Sequence, residues 1–124
     1  MAEYLADSYA FVAFFEDNER YKRLFASAKI ATTAMNVLEV CSVLLRRIDK
    51  DEALEFSQAM LSRVVDVRPE VALMAAELRR KMAQEKRQCS LIDAWGYAAA
   101  VAHGLKFLTG DPAFKGLENV EFVR

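Results

Sequence analysis

The chain has 124 residues, 54% of them apolar and 28% charged, with a formal net charge of −1. That composition fits one globular domain with a full core and excludes both a disordered chain and a uniformly basic nucleic-acid surface. An anionic partner would have to be held by a local basic patch or by a metal. Cys41 and Cys89 match no zinc spacing and read as two buried thiols in a reducing compartment. The opening Met-Ala-Glu-Tyr puts an acid where an export signal needs basic residues, and the longest uncharged run, 94–105, is too short to span a bilayer. A soluble, cytoplasmic protein is expected, with no membrane partner.

In chain order, Tyr4-Leu5-Ala6 is placed like a first strand, and Asp7-Ser8 opens a helix through Phe11, Phe14 and Phe15 that ends near Asp17-Asn18. A second helix over 19–28 turns Tyr21, Leu24 and Phe25 inward. Lys29 to Thr32 has the β-branched residues of a second strand, and Thr33 can cap the next helix, which runs to about Ile48. Met35, Leu38, Cys41, Leu45 and Ile48 recur there at helical spacing and predict its buried face. Asp49-Lys50-Asp51 breaks the chain before a helix over 52–62, and Val64 to Val67 predicts a third strand closed by Pro69. Another helix follows from Pro69-Glu70, with Val71, Met74, Ala75 and Leu78 on one face, and the charged run 84–88 ends it.

The most informative stretch is 90–114. Ser90 is a candidate N-cap with Asp93 in the first turn, and the residues after Asp93 are apolar on nearly every face, which predicts a buried helix. Gly104 stops it, Leu105 to Leu108 predicts a strand, and Thr109-Gly110-Asp111-Pro112 turns the chain into a short turn or helix through Phe114. A last strand falls at 120–123. Strands alternating with helices predict a three-layer α/β/α sandwich around a central parallel sheet of four to five short strands, in a single domain over 1–124.

In such a sheet each connecting helix runs antiparallel to its strands, so helix N-termini and strand C-termini share one edge, where open α/β sheets bind ligands. Asp7 ends the first strand, Asp93 begins a helix and Asp111 follows a strand, so all three belong to that edge. Glu39 lies in the second turn of the helix after the second strand and borders its apolar face, where a carboxylate is expensive unless paired or bound to a cation. Each acid also has an ordinary structural use: Asp7 as an N-cap, Asp93 in a capping box, Asp111 in a Gly-Asp-Pro turn. Glu39 has no cap to make.

Four carboxylates packed together repel one another and demand either raised pKa values or bound cations. With only oxygen ligands on offer, the set selects Mg²⁺ or Mn²⁺ over zinc. One or two such ions, in the latter case roughly 4 Å apart, activate water and stabilise the leaving oxygen of a phosphodiester. The residues therefore suggest metal-assisted phosphodiester hydrolysis.

The sequence also resembles the PIN-domain ribonucleases, and within them the VapC-type toxins of toxin–antitoxin pairs. The resemblance rests on Leu5-Ala6-Asp7-Ser8, Asn36-Val37-Leu38-Glu39-Val40, Ser90-Leu91-Ile92-Asp93-Ala94 and Leu108-Thr109-Gly110-Asp111-Pro112-Ala113-Phe114, in the family's order and across essentially the whole chain. It implies that Asp7, Glu39, Asp93 and Asp111 are the catalytic, metal-binding quartet, and that Ser8 and Thr109 support these acids by hydrogen bonding. It further implies Mg²⁺- or Mn²⁺-dependent RNA cleavage, a homodimer, and a small antitoxin protein that blocks the site. In one departure, Ala113 stands where many relatives carry an extra acid.

Arg46-Arg47 with Lys50, and Arg79-Arg80-Lys81 with Lys86-Arg87, could rim the site and grip RNA phosphates, or simply be solvated helix ends. His103 at a helix C-terminus and Trp95 and Tyr97 in the buried helix read as structural, and the helix-spaced phenylalanines as core or dimer contact. Two other readings stand beside the nuclease. An aspartyl-phosphate phosphotransferase usually carries a second acid next to or two residues after the first-strand Asp, where this chain has Ser8 and Tyr9. A catalytically silent binding module would keep the fold and the dimer.

Overall fold

The computed structural model describes residues 2–124. Four strands, β1 (Tyr4–Ala6), β2 (Ile30–Ala31), β3 (Lys106–Thr109) and β4 (Val120–Phe122), form a sheet in the order β2-β1-β3-β4, parallel throughout. Six helices surround it: α1 (Ser8–Phe15), α2 (Glu19–Ser27), α3 (Ala34–Leu44), α4 (Lys50–Leu61), α5 (Val71–Gln84) and α6 (Leu91–Ala102), with a 3₁₀ turn at Pro112–Phe114.

Alternation along the strands divides the core into two faces. In register, Leu5 lies beside Phe107 and Ala6 beside Leu108. Ala6 and Leu108 pack with Phe11, Tyr21, Val40, Leu44 and Met60 from α1 to α4. Leu5 and Phe107 pack on the other face with Met82 of α5, Ala99 and Ala100 of α6, and Phe114. The result is the three-layer sandwich. The alanines of α6 let it lie close on β1 and β3, and Gly96 closer still: a Cβ there would sit 3.0 Å from the Phe107 ring.

Strand order places the switch point. From β1 the chain moves outward to β2, then returns past β1 to β3 on its other side, so successive crossovers reverse direction between β1 and β3. Right-handed crossovers then put the two helix groups on opposite faces and open a crevice at the carboxyl ends of these two strands.

Several expectations are corrected. Val64 to Val67 does not form a strand; its pairing is confined to a parallel bridge between Thr32 and Val64, with Val65 N donating to Thr32 O at 3.0 Å. Beyond Val65 the chain spends its valines on packing, Val64 against the first core and Val65 and Val67 against the second, and β2 is too short to template a longer ladder. On α3 the buried face is Asn36, Val37, Val40 and Leu44, whereas Met35, Leu38 and Leu45 are exposed. Two apolar stripes of similar period compete there, and the Thr33 cap, accepting from Asn36 N, fixes the one that meets the core. Finally, α6 is not buried all round, since Leu91 and Val101 face outward. The strand expected at 105–108 is displaced by one residue, and Met74 of α5 is exposed.

Leu44 and Leu45 are neighbours with opposite environments, 0% and 59% exposed. Leu44→Ala is expected to cost about 2–5 kcal/mol of unfolding free energy. Leu45→Ala should stay within about 0.5 kcal/mol. Urea denaturation of the two variants measures the difference directly.

Candidate functional site

Asp7 follows β1 directly, and its backbone N–H donates to Leu108 O at 3.1 Å, locking it against β3. The side chain is 1% exposed. One carboxylate oxygen caps α1 by accepting from Ala10 N at 2.9 Å, and the other accepts from the Thr109 hydroxyl. Thr109 is thus a hub, because its oxygen also accepts from Asp111 N at 3.0 Å. Asp111 in turn caps the 3₁₀ turn through Ala113 N at 2.9 Å. Between them, Gly110 admits no side chain: a Cβ would fall 2.2 Å from the Tyr9 ring and 2.5 Å from Val123 O. The Thr109-Gly110-Asp111 corner is therefore pressed against α1 and the end of β4.

Asp93 enters from α6. It completes a capping box with Ser90, Asp93 N donating to Ser90 Oγ at 3.0 Å and Ser90 N to Asp93 Oδ2 at 3.3 Å. Glu39 enters from the second turn of α3, half-buried, with no cap to make. Three of the four acids thus serve as helix caps and stand at the shared edge together.

Their charges sense one another. Burial pushes the Asp7 carboxyl up to about 8; the hydrogen bonds from Thr109 and Ala10 oppose this, and the charges of Asp93 and Asp111 add to it. Asp93 is raised mainly by burial, against its Ser90 bonds and with help from Glu39 and Asp111. Cys89 nearby is pushed up to about 11, chiefly by burial and further by Asp93 and Asp111, while Arg79 works the other way. As the side chains stand, no three His, Cys, Asp or Glu groups among the described residues are close enough to grip one ion.

A divalent ion suits this donor set on its chemistry: every ligand in the set is a carboxylate oxygen, and no cation among the described residues draws down the pKa of the most buried one. Asp7, Glu39, Asp93 and Asp111 are the residues that would hold it.

Clefts open on two sides. One, of about 720 Å³, is lined by Ser8, Tyr9, Asn18, Glu39, Ser42 and Arg46. The other, of about 650 Å³, is lined by Arg79, Arg80, Arg87, Gln88, Ser90 and Asp93. The expected basic rims sort by what each side chain already binds. Arg47 pairs with Glu16 at 2.5 Å, Arg79 donates to Cys89 O at 3.0 Å, and Arg87 straps Ala113 O and Lys115 O at 2.9 and 2.8 Å. Arg46 and Arg80 line the clefts with no such bond among the described residues.

The structure treats the two supporting hydroxyls differently. Thr109 bonds Asp7, but Ser8 bonds Asn36 Nδ2 at 3.2 Å rather than an acid. Asn36 is fully buried and escaped the sequence reading, which placed the apolar stripe one residue out of phase. His103 sits at the far end of α6 against Asp66 O, Tyr97 bonds Glu118 O, and Trp95 borders an apolar groove with Met35, Ala75 and Leu91. Both cysteines are free thiols.

The PIN domain family matches residues 4–120. The chain belongs to that family. Among solved structures the chain resembles a toxin–antitoxin complex from Klebsiella pneumoniae, at 18% identity and a TM-score of 0.79 over 96% of both chains. It also resembles FitAcB from Neisseria gonorrhoeae, at 18% identity and a TM-score of 0.74 over 98% of this chain and 96% of that one. A third is Mycobacterium tuberculosis VapC20, a Sarcin-Ricin loop cleaving toxin, at 23% identity and a TM-score of 0.69 over 84% and 85%. At these identities they attest the PIN fold. Among curated proteins, no sequence matches this chain.

The burial of Asp7 makes stability depend on pH with a definite sign. A carboxyl whose folded pKa of about 8 exceeds its ordinary 3.8 binds its proton more tightly folded than unfolded, so stability falls as pH rises between those values. The slope is on the order of 1.4 kcal/mol per pH unit. Asp7→Asn keeps the cap and removes the charge. The metal-free variant should match wild type near pH 4 and unfold at progressively higher temperature than wild type toward pH 8, as read by calorimetry across that range.

Proposed function

We propose that this PIN-domain protein is a metal-dependent endoribonuclease acting as the toxin of a toxin–antitoxin pair in the cytoplasm. The observation that carries the reading is the Asp7 carboxyl at the switch point, raised first by burial and further by Asp93 and Asp111, beside an Asp93 raised mainly by burial and further by Glu39 and Asp111. Such a cluster costs stability, and a hard divalent cation is what relieves it. Mg²⁺ or Mn²⁺ bound there would lower the pKa of a water and stabilise charge on the phosphodiester. Family membership and the toxin–antitoxin complexes among the structural relatives support the same reading.

The chain's own residues supply position and grip. Thr109 holds Asp7 in one rotamer and fixes the backbone of Asp111, so two acids from opposite ends of the sequence move as one unit. Ser90 holds Asp93. Arg46 on one side and Arg80 on the other border clefts that also contain an acid, which suits an RNA strand laid across the edge with a phosphate in each cleft. Water adds across the P–O bond of the phosphate lying over the acids, and the chain divides into two ends.

Exposed apolar side chains near the site, Met35, Leu38 and Leu91, suit a second copy of the chain. A small antitoxin would act by covering the acid-bearing clefts. No described helix is long and apolar enough to cross a membrane.

The test is cleavage of single-stranded RNA with Mg²⁺ or Mn²⁺ added to protein stripped by EDTA. We expect no cleavage without metal and a loss of at least about a hundredfold in kcat for Asp7→Asn, Glu39→Gln, Asp93→Asn or Asp111→Asn. Variants that cut as fast as wild type would remove the quartet. Arg46→Ala and Arg80→Ala should instead weaken RNA binding and each reduce the slope of log affinity against log salt by about 1. Light scattering at micromolar concentration should give the mass of a dimer; a monomer there counts against the second copy.

A further inference from the structure

Beside the acids runs a buried chain of hydrogen bonds with a direction. Asn36 of α3, 0% exposed, lies between two hydroxyls: Thr33 Oγ is 2.6 Å from its Oδ1 and Ser8 Oγ is 3.2 Å from its Nδ2. The lengths themselves fix which way the amide faces. A separation of 2.6 Å belongs to O–H···O and is short for N–H···O, whereas 3.2 Å is at the long end of N–H···O and outside the O–H···O range. Thr33 Oγ also accepts from Asn36 N at 3.2 Å, so its single proton goes to Asn36 Oδ1. Asn36 Nδ2 therefore donates to Ser8. Having accepted there, the Ser8 hydroxyl donates its own proton to no atom among the described residues. Ser8 is 7% exposed, and the space it borders is the cleft it shares with Glu39 and Arg46.

We infer that Asn36 is a positioning residue for Ser8, turning the serine proton into the cleft to donate to a non-bridging oxygen of a bound phosphodiester. This rests on the nuclease reading and adds the group that receives substrate. An uncharged donor suits the place: a lysine or arginine among four carboxylates would pair with them and offset the charge a metal needs. A hydroxyl left free to rotate would point its proton at the nearest carboxylate. The bond from Asn36 occupies one lone pair and so restricts the directions left to the serine proton. Because Ser8 directly follows Asp7, the donor is carried on the same helix start as the most buried acid.

The experiment uses the full chain and four variants: Ser8→Ala, Ser8→Thr, Asn36→Asp and the Ser8→Ala/Asn36→Asp double. Asn36→Asp can only accept, so it draws the Ser8 proton inward. We expect Ser8→Ala and Asn36→Asp each to lose about tenfold in kcat/KM, the size of one hydrogen bond to a charged group. Each should also bind a short single-stranded RNA several-fold more weakly in Ca²⁺, which supports binding without turnover. The double variant should be no worse than Ser8→Ala, and Ser8→Thr should restore binding. Ser8→Ala should leave Mn²⁺ affinity without RNA within about twofold, and should shift the Asn36 side-chain amide signals in the NMR spectrum of metal-free protein. If Asn36→Asp fails to fold, Ser8→Ala and Ser8→Thr carry the test. Unmoved Asn36 signals, additive losses in the double variant, or weakened Mn²⁺ binding with intact RNA affinity would each overturn the assignment. Asn36 signals that shift in Ser8→Ala, together with a wild-type protein that binds no RNA, would sink the nuclease reading and phosphate as the recipient with it.

Discussion

Everything at the functional edge depends on one buried ionisable group, the Asp7 carboxyl wedged between β1 and β3. It is almost inaccessible to water and holds two hydrogen bonds, one from a helix it caps and one from Thr109 across the sheet. Those bonds fall short of the cost of burying a charge, which is why its proton binds so tightly. Toward and above the raised pKa of Asp7 the buried charge subtracts from the stability of the fold, and a cation at that point would offset the loss. The surrounding acids aggravate the imbalance, which is consistent with a site shaped for something positively charged.

The same residues hold the architecture together. Asp7, Asp93 and Asp111 each cap a helix or turn, and the sheet edge at which they stand is where helix N-termini gather. Helix dipoles there favour negative charge, so the scaffold tolerates carboxylates that mutual repulsion would otherwise disperse. The capping bonds that hold the architecture also set where these carboxylates stand. Gly110 shows how tightly it is drawn, because the Tyr9 ring and Val123 carbonyl close on it from both directions.

The sequence carried much of this and failed in specific places. The α/β alternation, the Ser90–Asp93 box and the acids at strand ends were legible because each follows from a local pattern that no distant contact overrides. The phase of α3 was not: Val37, Val40 and Leu44 compete with Met35, Leu38 and Leu45, and an asparagine on the winning stripe disguised it as polar. Asn36 is readable as a core residue only once Thr33 and Ser8 are seen to satisfy it. Val64 to Val67 misled for the opposite reason, since β-branched residues serve packing as well as pairing. The partnering of the arginines was invisible, as it depends on carbonyls far away in sequence.

The bond from Thr109 to Asp7 joins residues at opposite ends of the chain. During synthesis the first aspartate emerges from the ribosome 102 residues before its threonine, and β1 has no β3 to lie against until then. Before that pairing forms the acids are scattered, with no crevice between them. The crevice between the acids exists only once β3 has joined β1.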